Sequence, residues 1–182
     1  LMVSLAQQGK RVVRLKGGDP LVVGRGGEVA LALVKHSIAY EVIPGITAAI
    51  GCSANSLIPL THRGVARSVT FVTGQVVTGA FEAWSQLMQS GQTLVFYMGL
   101  EKSSQIQTGL INTGLREDFP VAIITHGCSP QQQVHVTQLN QLNDLSITLK
   151  GVSPALIVMG EVVKLREQLI EAVQSVTEYE GI

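Results

Sequence analysis

One stretch decides the fold: Val12-Val13-Arg14-Leu15-Lys16-Gly17-Gly18-Asp19-Pro20, continued by Gly24-Arg25-Gly26-Gly27-Glu28. Its first apolar residues favour a β-strand, and the paired glycines let the backbone approach a ligand without interference from Cβ atoms. The pattern therefore predicts a strand, a glycine-rich loop and a helix. Ligands of open α/β sheets lie outside the carboxyl ends of the strands, so we interpret this loop as a binding loop.

The loop alone is weak evidence, because Gly-Gly-Asp-Pro is also an ordinary turn signal. It is not a GxGxxG fingerprint, since Val29 stands where the last glycine would follow Gly24 and Gly26. The chain also has no GxxxxGK[ST] motif. Nucleotide phosphates are therefore not the favoured ligand.

Further motifs follow in a fixed order: Val42-Ile43-Pro44-Gly45-Ile46-Thr47-Ala48-Ala49, Ile58-Pro59-Leu60-Thr61-His62-Arg63, Thr93-Leu94-Val95-Phe96-Tyr97-Met98-Gly99 and Pro154-Ala155-Leu156-Ile157-Val158-Met159-Gly160-Glu161-Val162-Val163. With the glycine-rich loop, they closely resemble the uroporphyrinogen-III C-methyltransferases, the methylase module of siroheme synthases, within the tetrapyrrole methylase family. The resemblance covers nearly the whole chain. Several motifs in one order are far more specific than one loop.

The resemblance implies an α/β protein with the two-domain tetrapyrrole methylase fold. We expect residues 1–65 to form the back half of a parallel α/β amino-terminal domain, and residues 66–182 a carboxy-terminal α/β domain with a mixed sheet. The family's first strand, with its GxGPGD loop, has no counterpart in this chain. The amino-terminal domain is therefore expected to be truncated and to lack one wall of the cofactor pocket.

The composition fits a globular protein and restricts its partners. The chain has 182 residues, 46% of them hydrophobic, and 13 basic residues balance 13 acidic ones. No overall basic field attracts nucleic acid, so no nucleic-acid partner is expected. Cys52 and Cys128 have no metal-binding spacing, which predicts reduced core thiols and no metal site. Without a leader or a long apolar run, we expect a soluble cytoplasmic protein that does not enter a membrane.

Periodicity predicts the elements along the chain. Two strands separated by a short turn, Val121 to Thr125 and Gln133 to Thr137, should be antiparallel, which makes the sheet mixed. The predicted helices are the end of one at 1–9, then 28–36, 47–52, 80–88, 101–115, 139–145 and 162–176, and the other strands are 12–15, 39–44, 69–74, 93–97 and 155–159. Residues 177–182 have no pattern and are expected to fray.

The cofactor implied by the resemblance is S-adenosyl-L-methionine. Backbone groups of loops can hold its adenine, ribose and amino-acid tail, and small residues suit such contacts. By resemblance, the cofactor-binding residues are Gly17, Gly18, Asp19, Val22, Thr47, Ala48, Met98 and Gly127. Each of them alone would be read as an ordinary turn, helix-start or core residue.

The implied substrate, uroporphyrinogen III, carries eight carboxylates and must meet local positive charge on a neutral protein. Lys16, Arg25, His62, Arg63 and Arg67 are available, and Arg25, His62 and Arg63 are the predicted substrate-binding residues. The alternative for each is a solvated charge or an ion pair with Asp19 or Glu28. No catalytic residue is assigned, although the ordinary pKa of a histidine makes His62 the one nearby candidate for a base.

Three residues depart from the family pattern. Val23, Asn55 and Gln75 stand where the family usually has Phe, Tyr and His. If the first two line the site, the loss of two aromatic rings weakens contact with a flat macrocycle. The departures concern affinity and substrate choice rather than the fold.

The resulting hypothesis is an S-adenosylmethionine-dependent methylation of uroporphyrinogen III to precorrin-2, in siroheme or cobalamin synthesis. One alternative is a methylase of a later corrin intermediate. Another is a non-catalytic remnant that folds but binds the cofactor poorly. A homodimer is expected, although the apolar stripe of the last helix favours packing inside the domain over packing against a second copy. The stripe consists of positions 162, 165, 169, 173 and 176.

Overall fold

The computed structural model describes residues 1–74, 87 and 90–171. It divides into two compact units, Leu1–Ala48 and Ala49–Ile182. The predicted domain boundary at residues 65/66 remains a prediction. The predicted helix 80–88, apart from Leu87, lies outside the described residues, as do Gln75, stripe positions 173 and 176, and the terminus 177–182.

The first unit holds two short helices and loops. Helix α1 spans Met2–Gln7, and α2 spans Gly26–Lys35. After α1 the chain turns at Gly9, whose φ of +77° lies in the left-handed region that favours glycine. Both helices were predicted, and both predictions are confirmed.

The strands predicted at 12–15 and 39–44 are wrong. Residues 1–48 are all described, and none of them is in a strand. A strand exists only through hydrogen bonds to a neighbour, and neither segment forms a ladder with another part of the described chain. Side chains that the pattern assigned to a buried sheet lie in solvent instead, with Val13 72% and Leu15 88% exposed.

The second unit contains a sheet of five strands: β1 Ser68–Thr73, β2 Gln92–Tyr97, β3 Pro120–Thr125, β4 Gln133–Gln138 and β5 Ala155–Met159. Their order in the sheet is β1-β2-β5-β3-β4. Strands β1 and β2 are parallel, whereas β5 runs antiparallel to both β2 and β3, and β4 runs antiparallel to β3. The predicted mixed sheet and the antiparallel β3–β4 pair are therefore confirmed.

Helices α3 (Ala48–Asn55), α4 (Ser103–Asn112) and α5 (Leu142–Thr148) accompany the sheet. Short 3₁₀ turns at Leu100–Lys102 and Leu139–Gln141 lead into α4 and α5, and a third spans Glu161–Lys164. Residues 165–171 are also helical. No helix among the described residues is both long and apolar enough to cross a bilayer.

The core lies where α4 and α5 cover one face of the sheet. Phe96 and Ile157 pack there with Ile106 and Leu110, and all four are fully buried. The inner strand β3 is buried along its whole length, whereas β4, at the edge, is half open to solvent. This rigid sheet fixes the loops that leave the carboxyl ends of its strands.

Candidate functional site

The Gly17-Gly18-Asp19 loop packs against the segment that leads into α3. A Cβ atom on Gly18 would lie 3.3 Å from the carbonyl oxygen of Ile46 and 3.5 Å from the Cα atom of Thr47. Conversely, a Cβ atom on Gly45 would lie 3.0 Å from the carbonyl oxygen of Gly18. The two segments touch through their backbones, which small residues alone allow.

Asp19 fastens this contact with both carboxylate oxygens. Oδ2 accepts a hydrogen bond from the Gly45 N–H at 3.1 Å, and Oδ1 accepts one from the Leu21 N–H at 2.8 Å. These donors, Gly45 first and Leu21 second, hold the pKa of Asp19 below its ordinary value of 3.8. Asp19 thus acts here as an anchor between two loops and as a cap for the turn that follows.

Gly17 differs from its neighbour, because no heavy atom lies within 4 Å of a Cβ atom built on it. Gly18 packs against the backbone of residues 46–48, whereas Gly17 faces open space. A ligand that uses backbone N–H and C=O groups can therefore approach the loop at Gly17.

The loop closes on itself before α2 begins. A Cβ atom on Gly26 would lie 2.4 Å from the carbonyl oxygen of Pro20, which accepts the Gly26 N–H at 2.8 Å. Glycine is therefore required at this position. The closed turn contains Val22, which is half-buried and whose N–H reaches the carbonyl oxygen of Asp19 at 3.4 Å.

Arg25 lies at the start of α2 with a left-handed φ of 55°. Its guanidinium pairs with Glu28 at 3.4 Å, but the side chains are 82% and 63% exposed. Such an exposed pair contributes little to stability, so Arg25 remains available to another anion. The ion pair with Glu28, considered above as the alternative, is present.

The two residues predicted just before α3 differ in burial. Thr47 is 4% exposed, whereas Ala48, the first residue of the helix, is half-buried. With Gly18 against this backbone, six predicted residues come together in the first unit: Gly17, Gly18, Asp19, Val22, Thr47 and Ala48.

Met98 and Gly127 lie at the same edge of the sheet in the second unit. Each follows the carboxyl end of a strand, β2 and β3 respectively, and these strands run in the same direction because β5 is antiparallel to both. Met98 has a left-handed φ of 53° and is 51% exposed. Its carbonyl oxygen would lie 2.3 Å from a Cβ atom on Gly74, which follows β1 at the same edge.

Helix α3 is attached at this edge by Tyr97, which was not a predicted site residue, and by a contact between Cys52 and Gly127. The hydroxyl oxygen of Tyr97 accepts the Ala49 N–H at 3.0 Å and so satisfies a free donor of the first helical turn. The sequence feature that could have indicated this contact is a polar hydroxyl group at the end of the apolar strand β2. Farther along α3, Cys52 contacts Gly127 so closely that a Cβ atom on Gly127 would lie 2.3 Å from Sγ.

Gln132 completes the attachment. Its Oε1 atom accepts hydrogen bonds from the Cys128 N–H at 2.7 Å and from Asn55 Nδ2 at 2.9 Å. Asn55 stands where the family usually has Tyr, and here it binds the turn after β3. No local sequence pattern could have indicated a contact across 77 positions.

His62 and Arg63 lie in a tight turn in which His62 and Ala66 exchange backbone hydrogen bonds at 2.9 and 3.0 Å. Both side chains are exposed. The turn therefore presents an imidazole and a guanidinium, adjacent in sequence, to solvent.

The family model for the tetrapyrrole (corrin/porphyrin) methylases matches residues 1–143. The siroheme synthase of Hydrogenovibrio crunogenus is 51% identical over 171 residues, which cover 93% of this chain but 36% of that protein. The chain therefore spans about a third of the length of such relatives.

Solved structures of uroporphyrin-III C-methyltransferase from Thermus thermophilus are also similar. One is 38% identical with a TM-score of 0.75, covering 92% of this chain and 68% of that one. Another, complexed with S-adenyl homocysteine, is 32% identical with a TM-score of 0.76, covering 90% and 72%.

Fold and matches together define the class of protein, which is that of α/β methylases. The chain belongs to the tetrapyrrole (corrin/porphyrin) methylase family. The fold class predicted from the sequence motifs is confirmed.

Proposed function

We propose that this chain is the methylase part of an S-adenosylmethionine-dependent enzyme that converts uroporphyrinogen III to precorrin-2. The observation that carries the proposal is the Gly17-Gly18-Asp19 loop, which is fixed to Gly45 and Ile46 while its Gly17 side stays open. The Thermus thermophilus enzymes, named for uroporphyrin-III methylation, support the choice of substrate. Because the chain spans 36% of its siroheme synthase relative, the proposal concerns methylation alone.

The residues present fit S-adenosyl-L-methionine. When bound, the cofactor supplies a methyl group already activated by a sulfonium. The backbone of Gly17 and Gly18 offers donors and acceptors without a side chain in the way, and buried Thr47 belongs to the segment that packs against Gly18. Met98 and Gly127 are the proposed contacts from the sheet edge.

For the substrate, we propose that Arg25, His62 and Arg63 bind carboxylates. All three side chains are exposed, and the one ion pair among them, Arg25 with Glu28, is weak enough to be exchanged for a substrate carboxylate. Transfer of an activated methyl group depends mainly on the positions of the reactants. The residues that bind and orient the macrocycle therefore matter more than a strong base. No residue is assigned as that base, for which His62 is the nearby candidate.

Calorimetric titration with S-adenosylhomocysteine tests cofactor binding by the purified chain. We expect micromolar affinity, and the absence of heat would favour the non-catalytic remnant. Incubation with labelled S-adenosylmethionine and a panel of tetrapyrroles then tests the substrate. Label in uroporphyrinogen III supports the proposal, whereas label only in a later corrin intermediate would overturn it.

A homodimer and a cytoplasmic location are further parts of the proposal. Both rest on the resemblance to the family. Light scattering of the purified chain, at concentrations above and below the micromolar range, tests the dimer. A monomer throughout that range would contradict it.

A further inference from the structure

The two cysteines of the chain, 76 positions apart in sequence, meet in the second unit. Cys52 is half-buried on α3, and Cys128 is exposed in the turn after β3. Both are free thiols. The prediction of two reduced core thiols is therefore wrong for the location of Cys128, because the turn lifts it out of the core with a left-handed φ of 61°.

The turn after β3 packs closely against the side chain of Cys52 on α3. Gly127 is so close to Cys52 that a Cβ atom on it would lie 2.3 Å from Sγ and 3.0 Å from the Cβ atom of Cys52. Cys128 is the next residue, and its N–H is held by Gln132 Oε1 at 2.7 Å. The same Gln132 reaches the last turn of α3 through Asn55 and through Ser56 Oγ, the latter at 3.3 Å.

The two thiols interact electrostatically and differ in their exposure to solvent. Burial, and then the neighbouring Cys128, raises the pKa of Cys52 to about 11, so Cys52 is a protonated thiol at neutral pH. The thiolate is the nucleophile in thiol oxidation, and accessibility governs which thiol reacts first. Cys128 is open to solvent, whereas Cys52 is partly shielded. The arrangement therefore assigns the first step to Cys128 and the second to Cys52.

We propose that Cys52 and Cys128 form a peroxide-reactive dithiol site that closes reversibly into an intramolecular disulfide. The Cys128 thiolate attacks hydrogen peroxide, the O–O bond breaks, and a sulfenic acid and hydroxide result. The Cys52 sulfur then displaces the hydroxyl group, which leaves with a proton as water. Two thiols and one peroxide thus give one disulfide and two waters, with sulfur oxidised and peroxide reduced.

The site does not depend on the proposed methylation, because its chemistry involves only the two sulfur atoms. Closure would add a covalent link between α3 and the turn after β3, which are already joined through Gln132. A reductant such as a small dithiol reopens it.

The test treats the reduced wild type with one equivalent of hydrogen peroxide at micromolar protein concentration. We expect both free thiols to disappear and the mass of the single chain to fall by two hydrogen atoms. One peptide pair should join residues 52 and 128, and dithiothreitol should restore both thiols. In the Cys52→Ser variant, Cys128 should stop at a sulfenic acid that dimedone traps. The Cys128→Ser variant should keep its thiol under the same conditions.

A second comparison tests whether the folded structure speeds disulfide formation beyond the rate expected for two thiols in an unfolded chain. The wild type unfolded in guanidinium chloride should form the intramolecular disulfide more slowly than the folded protein. Equal rates, disulfide-linked dimers as the main product, or a wild type that keeps both thiols would each overturn the proposal. Circular dichroism checks that the serine variants fold, and Cys52→Ala replaces Cys52→Ser if the hydroxyl disrupts α3.

Discussion

Asp19 shows how one half-buried side chain can organise a loop. Its two oxygens accept N–H groups from Leu21, within its own turn, and from Gly45, 26 positions away. A carboxylate accepts such bonds more strongly than a neutral group does. The structure thus gives Asp19 an anchoring role, and direct contact with the cofactor remains a prediction.

Asp19→Ala should lower the melting temperature at pH 6, and the difference from wild type should shrink in acid. The folded-state pKa is lowered, so the stabilisation is complete above the ordinary value of 3.8 and is lost as the pH falls through the lower folded-state value. Melting curves from pH 6 to about pH 2.5 check this, with Glu41→Ala as an exposed carboxylate control in the same unit. A difference that does not change with pH would contradict the anchoring role.

Gly17 allows a test of binding that leaves the fold intact. A Cβ atom there meets nothing within 4 Å, and its backbone is not left-handed, so Gly17→Ala should keep the free energy of unfolding within about 0.5 kcal/mol. The added methyl group should lower the affinity for S-adenosylhomocysteine about tenfold, or ~1.4 kcal/mol. Calorimetry and urea unfolding measure the two effects.

The matched control is Gly27→Ala, which also adds a methyl group to open space but lies in α2. Alanine has the higher helix propensity, so this variant should gain up to about 1 kcal/mol of stability. Its affinity should not change. Unchanged affinity in Gly17→Ala as well would remove Gly17 from the proposed site.

At the scale of elements, α3 is held to the sheet edge at two points, near its start by Tyr97 and farther along by Gly127. Tyr97 is the last residue of β2 and Gly127 follows β3, so both attachments lie at the carboxyl ends of strands, where α/β proteins bind ligands. The strands themselves were predictable, because β2, β3 and β5 are short apolar runs between turn signals. Their attachment to α3 was not, because it joins residues 48 and 75 positions apart.

Tyr97→Phe removes the acceptor for the Ala49 N–H but keeps the ring, which contacts Phe71 edge-on with a centroid distance of 6.0 Å. Loss of one partly buried hydrogen bond should cost about 1 kcal/mol of unfolding free energy. Urea unfolding with an unchanged m-value measures it. Tyr40→Phe, whose ring is 48% exposed, serves as the control, and an equal effect there would exclude a capping role for Tyr97.

Gly127→Ala should destabilise the second unit by roughly 1–3 kcal/mol, because its methyl group would overlap Cys52. Cys52→Ala removes the sulfur atom that lies 2.3 Å from the new carbon. The double variant should therefore lose less stability than the sum of the single variants. If the stability losses of the two single variants were additive, the destabilisation by Gly127→Ala would come from the backbone rather than from overlap with Cys52.

At the scale of the whole molecule, prediction succeeded where a segment carries its own signal and failed where structure depends on a partner. The mixed sheet of residues 68–159 followed from runs and turns, and all five of its strands were expected. The segments 12–15 and 39–44 carry equally good strand patterns but form no ladder within the described chain. Strand propensity reflects how well a side chain fits a sheet, so it cannot report whether a neighbouring strand is present.

The same contrast predicts the pattern of amide hydrogen exchange. Backbone groups of β2, β3 and β5 are paired on both sides and buried, so their exchange should require global unfolding. The segments 11–16 and 38–45 line an open cavity of about 1080 Å³ in the first unit and lack ladder bonds, so their amides should exchange orders of magnitude faster. Exchange followed by mass spectrometry checks this, with helix α2 of the same unit as an internal reference of intermediate protection. Protection of the segment 11–16 equal to that of β3 would contradict this prediction, because it would require hydrogen bonds between that segment and a strand. The loop that begins at Gly17 would then follow a strand of a sheet, as the sequence pattern predicted.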